Sequence, residues 1–431
     1  MERKQVVEQR AREFFGQRLD ELLHQVQQDR RELRGWEEPA HLRAVLRRAV
    51  RERPTAAGNA TQVAVAEPEI GQGAGEPDKG EQREALGQIL DAGASALDKL
   101  LHAPSSELTP EDSFGLECVI LLYGRPALLA TQGRLARGPA FWSVLEDQRD
   151  DIELTQRGVG RIELVGHPDY DWAGTGFLVG ETCLMTARSV VQIFLECQDA
   201  GTWQFRPGIS TWMDYQADYQ RPASAAYRVQ RVLGVHDRYD LALLEVEPPQ
   251  RSAEIPTPLA LASEAPLRLD GRAVYLVGYP VRDARRNEPE SITRVFRDVY
   301  NVKRVQPGTL RGIESFRDVH LLRHDCAPLG HSAGGCVVDL ETHQVLGLHV
   351  SGRYLENGTA VPLWMLRDDP LLERCHVTMA RATGEELATI SSQVERLART
   401  RHWSELRLAI AKLYEQAFGK AAPEECGKPV H

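Results

Sequence analysis

Apolar residues recur along this chain with two different periods, and the change of period divides it. Phe15, Leu19, Leu22 and Val26 fall three and four positions apart, and so do Leu42, Val45, Leu46 and Val50. That spacing puts each set on one side of a helix. The remaining sides are rich in Arg and Glu, so 1–53 reads as a helical module. Residues 54–82, "PTAAGNATQVAVAEPEIGQGAGEPDKGEQ", carry almost no large apolar side chains. Such a stretch cannot bury enough surface to offset chain entropy, which predicts a flexible linker. Residues 83–157 read as a connecting region. A helix presents Leu86, Leu90, Leu97 and Leu101, and a hairpin is expected in 117–135, where Tyr123-Gly124-Arg125-Pro126 splits two apolar runs.

From about 158 the texture changes to short β-branched runs between turn residues: "GRIELV", "GTGFLVG", "CLMTA", "YRVQRVLGV", "LALLEV", "RAVYLVGYP" and "CVVDLETHQVLGLHVSG". No helical pattern intervenes, which predicts an all-β sandwich or barrel over 158–370. The period lengthens again in 371–431. Leu387, Ile390, Val394 and Leu397 share one helix face, and Leu406, Ile410, Leu413 and Phe418 share the next, so a C-terminal helical hairpin is expected. The fold class is therefore mainly β in the core with helical segments at both ends, α+β overall.

Composition removes several function classes. The formal charge of −10 argues against a nucleic-acid partner, which selects a basic face. The start, "MERKQVVEQRAREFFGQ", has no apolar core of a signal peptide, and no apolar run reaches membrane-spanning length. Cys118, Cys183, Cys197, Cys326, Cys336, Cys375 and Cys426 are odd in number, scattered, and form no C-x-x-C pair. That pattern favours reduced thiols in a cytoplasmic protein over disulfides or a metal site, and no cofactor is expected. The 1–53 segment is mildly basic inside this acidic chain, which makes its helices the candidate docking module.

The candidate chemistry centres on "GHSAGGC", residues 330–336. Gly330-His331-Ser332-Ala333-Gly334 fits G-x-S-x-G, the elbow that lifts a serine above a hydrolase sheet. An elbow must run into a helix. Here Val337-Val338 and Val345-Leu346-Gly347-Leu348 flank an Asp-Leu-Glu-Thr-His turn, which predicts a hairpin and removes that reading.

Six ordered segments instead resemble another family: "GTGFLVG" (174–180), "LMTARSVV" (184–191), "YDLALLEV" (239–246), "YLVGYP" (275–280) with "VKRVQPG" (302–308), "HDCAPLGHSAGGCVVD" (324–339) and "GLHVSGRYLENGTAVPLWML" (347–366). They are similar to the chymotrypsin-like serine peptidases, in particular the bacterial trypsin-like and glutamyl-endopeptidase branch. The resemblance implies a double β-barrel over 158–366 and a catalytic triad in the order His, Asp, Ser. A serine needs a base to take its proton, and the base needs a carboxylate to fix its tautomer.

Carried over residue by residue, the resemblance puts the aspartate at Asp240, the histidine position at Ser189, and the serine position, without a gap, at Ala333. The oxyanion-hole positions fall on His331 and Ala333. A seryl hydroxyl is no base near neutral pH, and a methyl group is no nucleophile. In a well-studied serine protease, loss of either group costs about 10⁶ in turnover. Shifting the register by one makes Ser332 an alternative nucleophile with Gly330 behind it, leaving His167 or His236 to supply a base. A deliberate knockout of an active protease usually changes one residue. Here the departures spread over Ala187, Ser189, His331, Ser332 and Ala333.

The same resemblance assigns a substrate-binding wall to Ala327, His349, Ser351 and Gly352. Ala327, at the pocket floor, brings no carboxylate, so a Lys or Arg preference is not expected. His349 matches the histidine that helps hold an acidic side chain. The expectation is a catalytically inactive peptidase homologue that binds a protein or peptide, in a bacterial signalling or defence assembly, with an active endopeptidase using Ser332 as the alternative.

Overall fold

The computed structural model describes residues 3–34, 79–103, 107–198, 202–219, 227–247, 256–280, 301–326, 332–352, 357–377 and 379–380. The expected helix around Leu42–Val50, linker residues 54–78 and the C-terminal pair through Phe418 lie outside the described residues. The chain forms two compact units. The first is Met1–Leu128 with Leu135–Asp147 and Arg282–Asn301, and the second is Leu129–Arg134 with Gln148–Val281 and Val302–His431.

The first unit is built from helices Arg3–Phe15, Leu19–Arg34, Lys79–His102 and Pro110–Val119. Phe15, Leu19, Leu22 and Val26 are all buried, as their period requires. Leu86, Leu90 and Leu97 are buried too, whereas the inward position near the helix end goes to Leu100 rather than Leu101. This third helix begins at Lys79, inside the span expected to be linker. It crosses the fourth at glycine. A Cβ on Gly93 would stand 2.3 Å from Val119 Cγ2, and one on Gly115 would stand 2.4 Å from the Gly93 nitrogen. Two side chains are absent so that two backbones can touch.

The run 117–124 corrects the hairpin expectation. It continues the fourth helix into a wider turn, Ile120–Gly124. Every residue from Leu116 to Tyr123 is buried, so no polar face marks the period, and a short apolar run suits helix or strand equally. The missed signal was the start. Thr109 Oγ1 accepts the Asp112 N–H (3.1 Å), the Asp112 carboxylate accepts the Thr109 N–H (2.8 Å), and Pro110 takes the first turn.

Asp112 also receives bonds from Ser95 Oγ (2.9 Å) and the Lys99 ammonium. Burial opposes its ionisation, but the bonds from Lys99, Thr109 and Ser95 prevail and hold its pKa at about 2. A depressed carboxylate stabilises the fold above its ordinary pKa and loses that effect as pH falls through the folded value. Asp112→Asn is expected to lower stability by about 2 kcal/mol at pH 7. The deficit should shrink as pH falls from about 4 toward 2, read by urea unfolding of both proteins.

The hairpin of this region comes later. β1 (Leu128–Thr131) and β2 (Arg134–Leu135) join through Gln132 and Gly133, whose φ angles are 53° and 77°. Two left-handed central residues give the turn whose twist matches antiparallel strands.

Eight strands follow: β3 (Val159–Val165), β4 (Trp172–Leu178), β5 (Cys183–Thr186), β6 (Leu195–Cys197), β7 (Trp203–Phe205), β8 (Ser210–Asp214), β9 (Tyr227–Val235) and β10 (Ala242–Glu247). Six of them close a barrel in the order β10-β5-β4-β3-β8-β9, and β6 and β7 pair separately. Inside it Ile162, Leu184, Met213, Val229, Ala242 and Leu244 share a core. A second set is β11 (Ala273–Gly278), β12 (Arg304–Phe316), β13 (Val319–His324), β14 (Cys336–Asp339), β15 (Val345–Ser351) and β16 (Gly358–Pro362). Its order is β11-β14-β15-β16-β13-β12, and pairing of β11 with β12 closes the ring. Val274, Leu276, Leu310, Leu322, Val337 and Leu346 fill it. All pairings within the two rings are antiparallel. This is the double barrel that the resemblance implied, with helices preceding it, and full closure leaves neither ring an open edge.

Candidate functional site

β5 ends at Thr186 and hands the chain to a single helical turn, Arg188–Val191, which presents Ser189 to solvent. Asp240 sits half-buried in the loop between β9 and β10. The two meet directly. Ser189 donates its N–H to Asp240 Oδ1 (2.7 Å) and its hydroxyl to Oδ2 (3.0 Å). Both carboxylate oxygens are thus engaged by one residue, and no imidazole intervenes.

The surroundings hold this pair in place. Arg188 Nη1 donates to the carbonyls of His236 and Asp237, each at 3.2 Å, tying the helical turn to the Asp240 loop. That loop is wound around a histidine. His236 Nδ1 accepts the N–H groups of Arg238 and Tyr239 (3.0 Å each), so its Nε2 carries the proton toward Asp369 Oδ2 (3.2 Å). His236 therefore supports the loop, with both ring nitrogens bonded to groups other than Asp240. His167 lies in the β3–β4 turn, where its Nδ1 accepts from Asp169 and Tyr170 N–H.

Residues 332–335 form a tight turn into β14. Gly334 has φ +86°, and a Cβ there would stand 2.0 Å from the Thr175 carbonyl, so only glycine fits. Within this turn the two candidate nucleophile positions have different surroundings. Ala333 is half-buried, accepts the Thr175 N–H through its carbonyl (3.1 Å), and packs on the first barrel's core cluster. That cluster contains Ala187, Val190 and Val191, the neighbours of Ser189. Ser332 is 2% exposed, its Cβ stands 3.1 Å from where a Gly278 Cβ would be, and its hydroxyl has no hydrogen-bond partner among the described residues. Ala327 and His331 lie outside the described residues.

His349 lines the second barrel next to a residue that sequence reasoning missed as part of the site. His324 Nε2 and His349 Nδ1 are 3.0 Å apart, one donating to the other, and both rings are buried. Burial, only partly offset by Asp325, pulls His324 down to about 4, so it is neutral at pH 7. Two glycines flank the rings: a Cβ on Gly358 would press on His324, and one on Gly352 would touch His349 Cε1 at 3.5 Å. Ser351 is exposed at the end of β15 and Gly352 follows it. The only sequence signal for the pair was the "HD" opening the 324–339 segment, and nothing in a single sequence connects it to position 349.

The "HD" aspartate has a structural task. Asp325 accepts the Thr309 N–H (2.7 Å), the Thr309 hydroxyl (2.9 Å) and the Arg311 Nε–H (2.7 Å), with Arg311 Nη2 also paired to it. It ties the end of β13 to β12. Among the described residues no cluster of His, Cys, Asp and Glu could hold a metal ion, and no helix is long and apolar enough to cross a membrane.

Residues 174–348 match the family described as the trypsin-like peptidase domain. No curated protein matches the sequence. Among solved structures, the chain is similar to the Rv3671c protease from M. tuberculosis. The active form is 17% identical, with 56% of this chain and 89% of that one covered and a TM-score of 0.37. The inactive form is 19% identical, with 51% and 89% covered and a TM-score of 0.33.

Proposed function

With residues 174–348 carrying a trypsin-like peptidase domain, we propose that this domain is catalytically silent and serves to bind a protein or peptide. One observation carries the reading: the Asp240 carboxylate, which in a triad orients an imidazole, is occupied by the N–H and hydroxyl of Ser189. The Ser189 hydroxyl that stands in the imidazole's place is no base near neutral pH. Ala333, packed beside the first-barrel cluster, has no atom that attacks a carbonyl. Ser332 is the remaining hydroxyl of the segment, and its burial beside Gly278 favours a packing role.

The β15 wall is where we place the bound chain. Its His349, paired with neutral His324 at 3.0 Å, offers a hydrogen-bonding ring rather than a carboxylate. That favours a peptide with an acidic or amide side chain over one with Lys or Arg. A fluorophosphonate probe tests the reading. The full chain should remain unlabelled, with the same background as Ser332→Ala. Labelling that disappears in Ser332→Ala would replace it with an active endopeptidase.

A further inference from the structure

Neighbouring strands of the second barrel run in opposite directions, so the ends of β11, β13 and β15 and the starts of β12, β14 and β16 share one rim. Polar side chains gather inside that rim. Gln306 lies opposite Leu276, His324 opposite Leu310 and His349 opposite Ala360. Opposed residues share a face of the sheet, and Leu276, Leu310 and Ala360 belong to the barrel core, so all three polar side chains point inward. The rim is approached from the end of β15. Ser351 is exposed there, and a Cβ on Gly352 would stand 3.5 Å from His349 Cε1.

His324 and His349 bond each other at 3.0 Å, but Gln306 is left over. It has no exposed surface, and among the described residues neither the oxygen nor the nitrogen of its amide has a hydrogen-bond partner. His324 Nδ1 has none either. Buried polar groups are bonded almost without exception, so three unmet atoms inside one rim mark a place that a polar group fills.

We propose that this rim is a side-chain pocket for a primary amide, with Gln306 as its specificity-determining residue, so that the bound chain is recognised at a glutamine or asparagine. The proposal rests on the binding reading above and chooses between the two side-chain types it allows. Gln306 offers one donor group and one acceptor. A primary amide offers the same two, and the pair closes with two reciprocal hydrogen bonds. A carboxylate offers acceptors alone. It would set one oxygen against Gln306 Oε1 and bring a charge beside His324, which burial keeps neutral at pH 7. Arg304, opposite Gly278 and the inward residue before Gln306, has partners of its own. An alkyl side chain would leave both atoms of Gln306 unmet.

The test follows the isotopically labelled full chain by NMR at pH 7 while acetyl-Ala-Ala-Gln-amide is added, and then its glutamate and norleucine counterparts. The glutamine peptide should move the Gln306 side-chain amide and the His324 ring signals to saturation. The glutamate peptide should bind about 10-fold more weakly or worse, and the norleucine peptide should move neither signal. Gln306→Leu removes the unmet atoms, so it should keep Tm while abolishing the His324 response and the preference among peptides. The Ser351 and Gly352 amides report chain binding whatever the side chain. If they respond equally to all three peptides while Gln306 is silent, its amide belongs to buried water, the pocket is overturned and the binding reading stands. If Gln306, Ser351 and Gly352 are all silent, both fall. Tighter binding of the glutamate peptide, or a preference that survives Gln306→Leu, also overturns the proposal.

Discussion

The double substitution Ser189→His with Ala333→Ser is expected to create peptidase activity at least about 10³-fold above either single change. The argument starts from Asp240, whose two oxygens already point at residue 189 across distances of 2.7 and 3.0 Å. An imidazole there inherits the bond to Oδ2 that the Ser189 hydroxyl now makes, which fixes its Nδ1–H and turns Nε2 outward. Arg188, bonded to the carbonyls of His236 and Asp237, keeps the helical turn and the Asp240 loop in register while the side chain is exchanged. On the other barrel, a hydroxyl added to Ala333 projects from a half-buried position packed on the cluster that contains Val190. Base and nucleophile act as a unit, so each single change should be close to silent and the gain strongly non-additive. Burst kinetics and fluorophosphonate labelling at position 333 measure it. Activity in Ser189→His alone would identify Ser332 as nucleophile instead. A double variant with unchanged Tm and no labelling would mean that the cleft has lost its catalytic shape as well as its groups.

The features that were readable from the chain are those whose signal is local. Strands such as β9, with Tyr227 and Val229 inward and Arg228 and Gln230 outward, announce themselves by alternation. The strand and turn pattern left sandwich and barrel open, and the two rings were what the resemblance implied. The pairing of positions 189 and 240 was readable because the resemblance supplied both in sequence. What failed had no polar reference. In 116–123 every residue is buried, so helix and strand predict the same string. The different surroundings of Ser332, beside Gly278, and Ala333, on the first-barrel cluster, were also hidden, because they rest on contacts between residues far apart in sequence. The His324–His349 pair was hidden for the same reason, since neighbouring strands β13, β16 and β15 bring it together across the sheet.

Asp325→Ala should destabilise the fold by about 3–5 kcal/mol, the cost of breaking a buried ion pair from one side. The Asp325 side chain has no exposed surface and receives the Thr309 N–H, the Thr309 hydroxyl and the Arg311 guanidinium. Alanine leaves the Thr309 N–H without that acceptor and the Arg311 charge without its buried counterion. An unpaired donor in that position costs about 1–3 kcal/mol, and the stranded charge adds to it. Asp325→Asn separates the two contributions. An amide oxygen still accepts from Thr309 but carries no charge for Arg311, so it should recover the backbone part only and fall between alanine and wild type. Asp325 also neighbours His324, whose pKa it raises slightly against burial. Losing the carboxylate should therefore lower the His324 pKa further, as read by NMR titration. Equal stabilities for the alanine and asparagine proteins would sink the argument, because they would place the whole effect in the charge and none in the bonds that tie the end of β13 to β12.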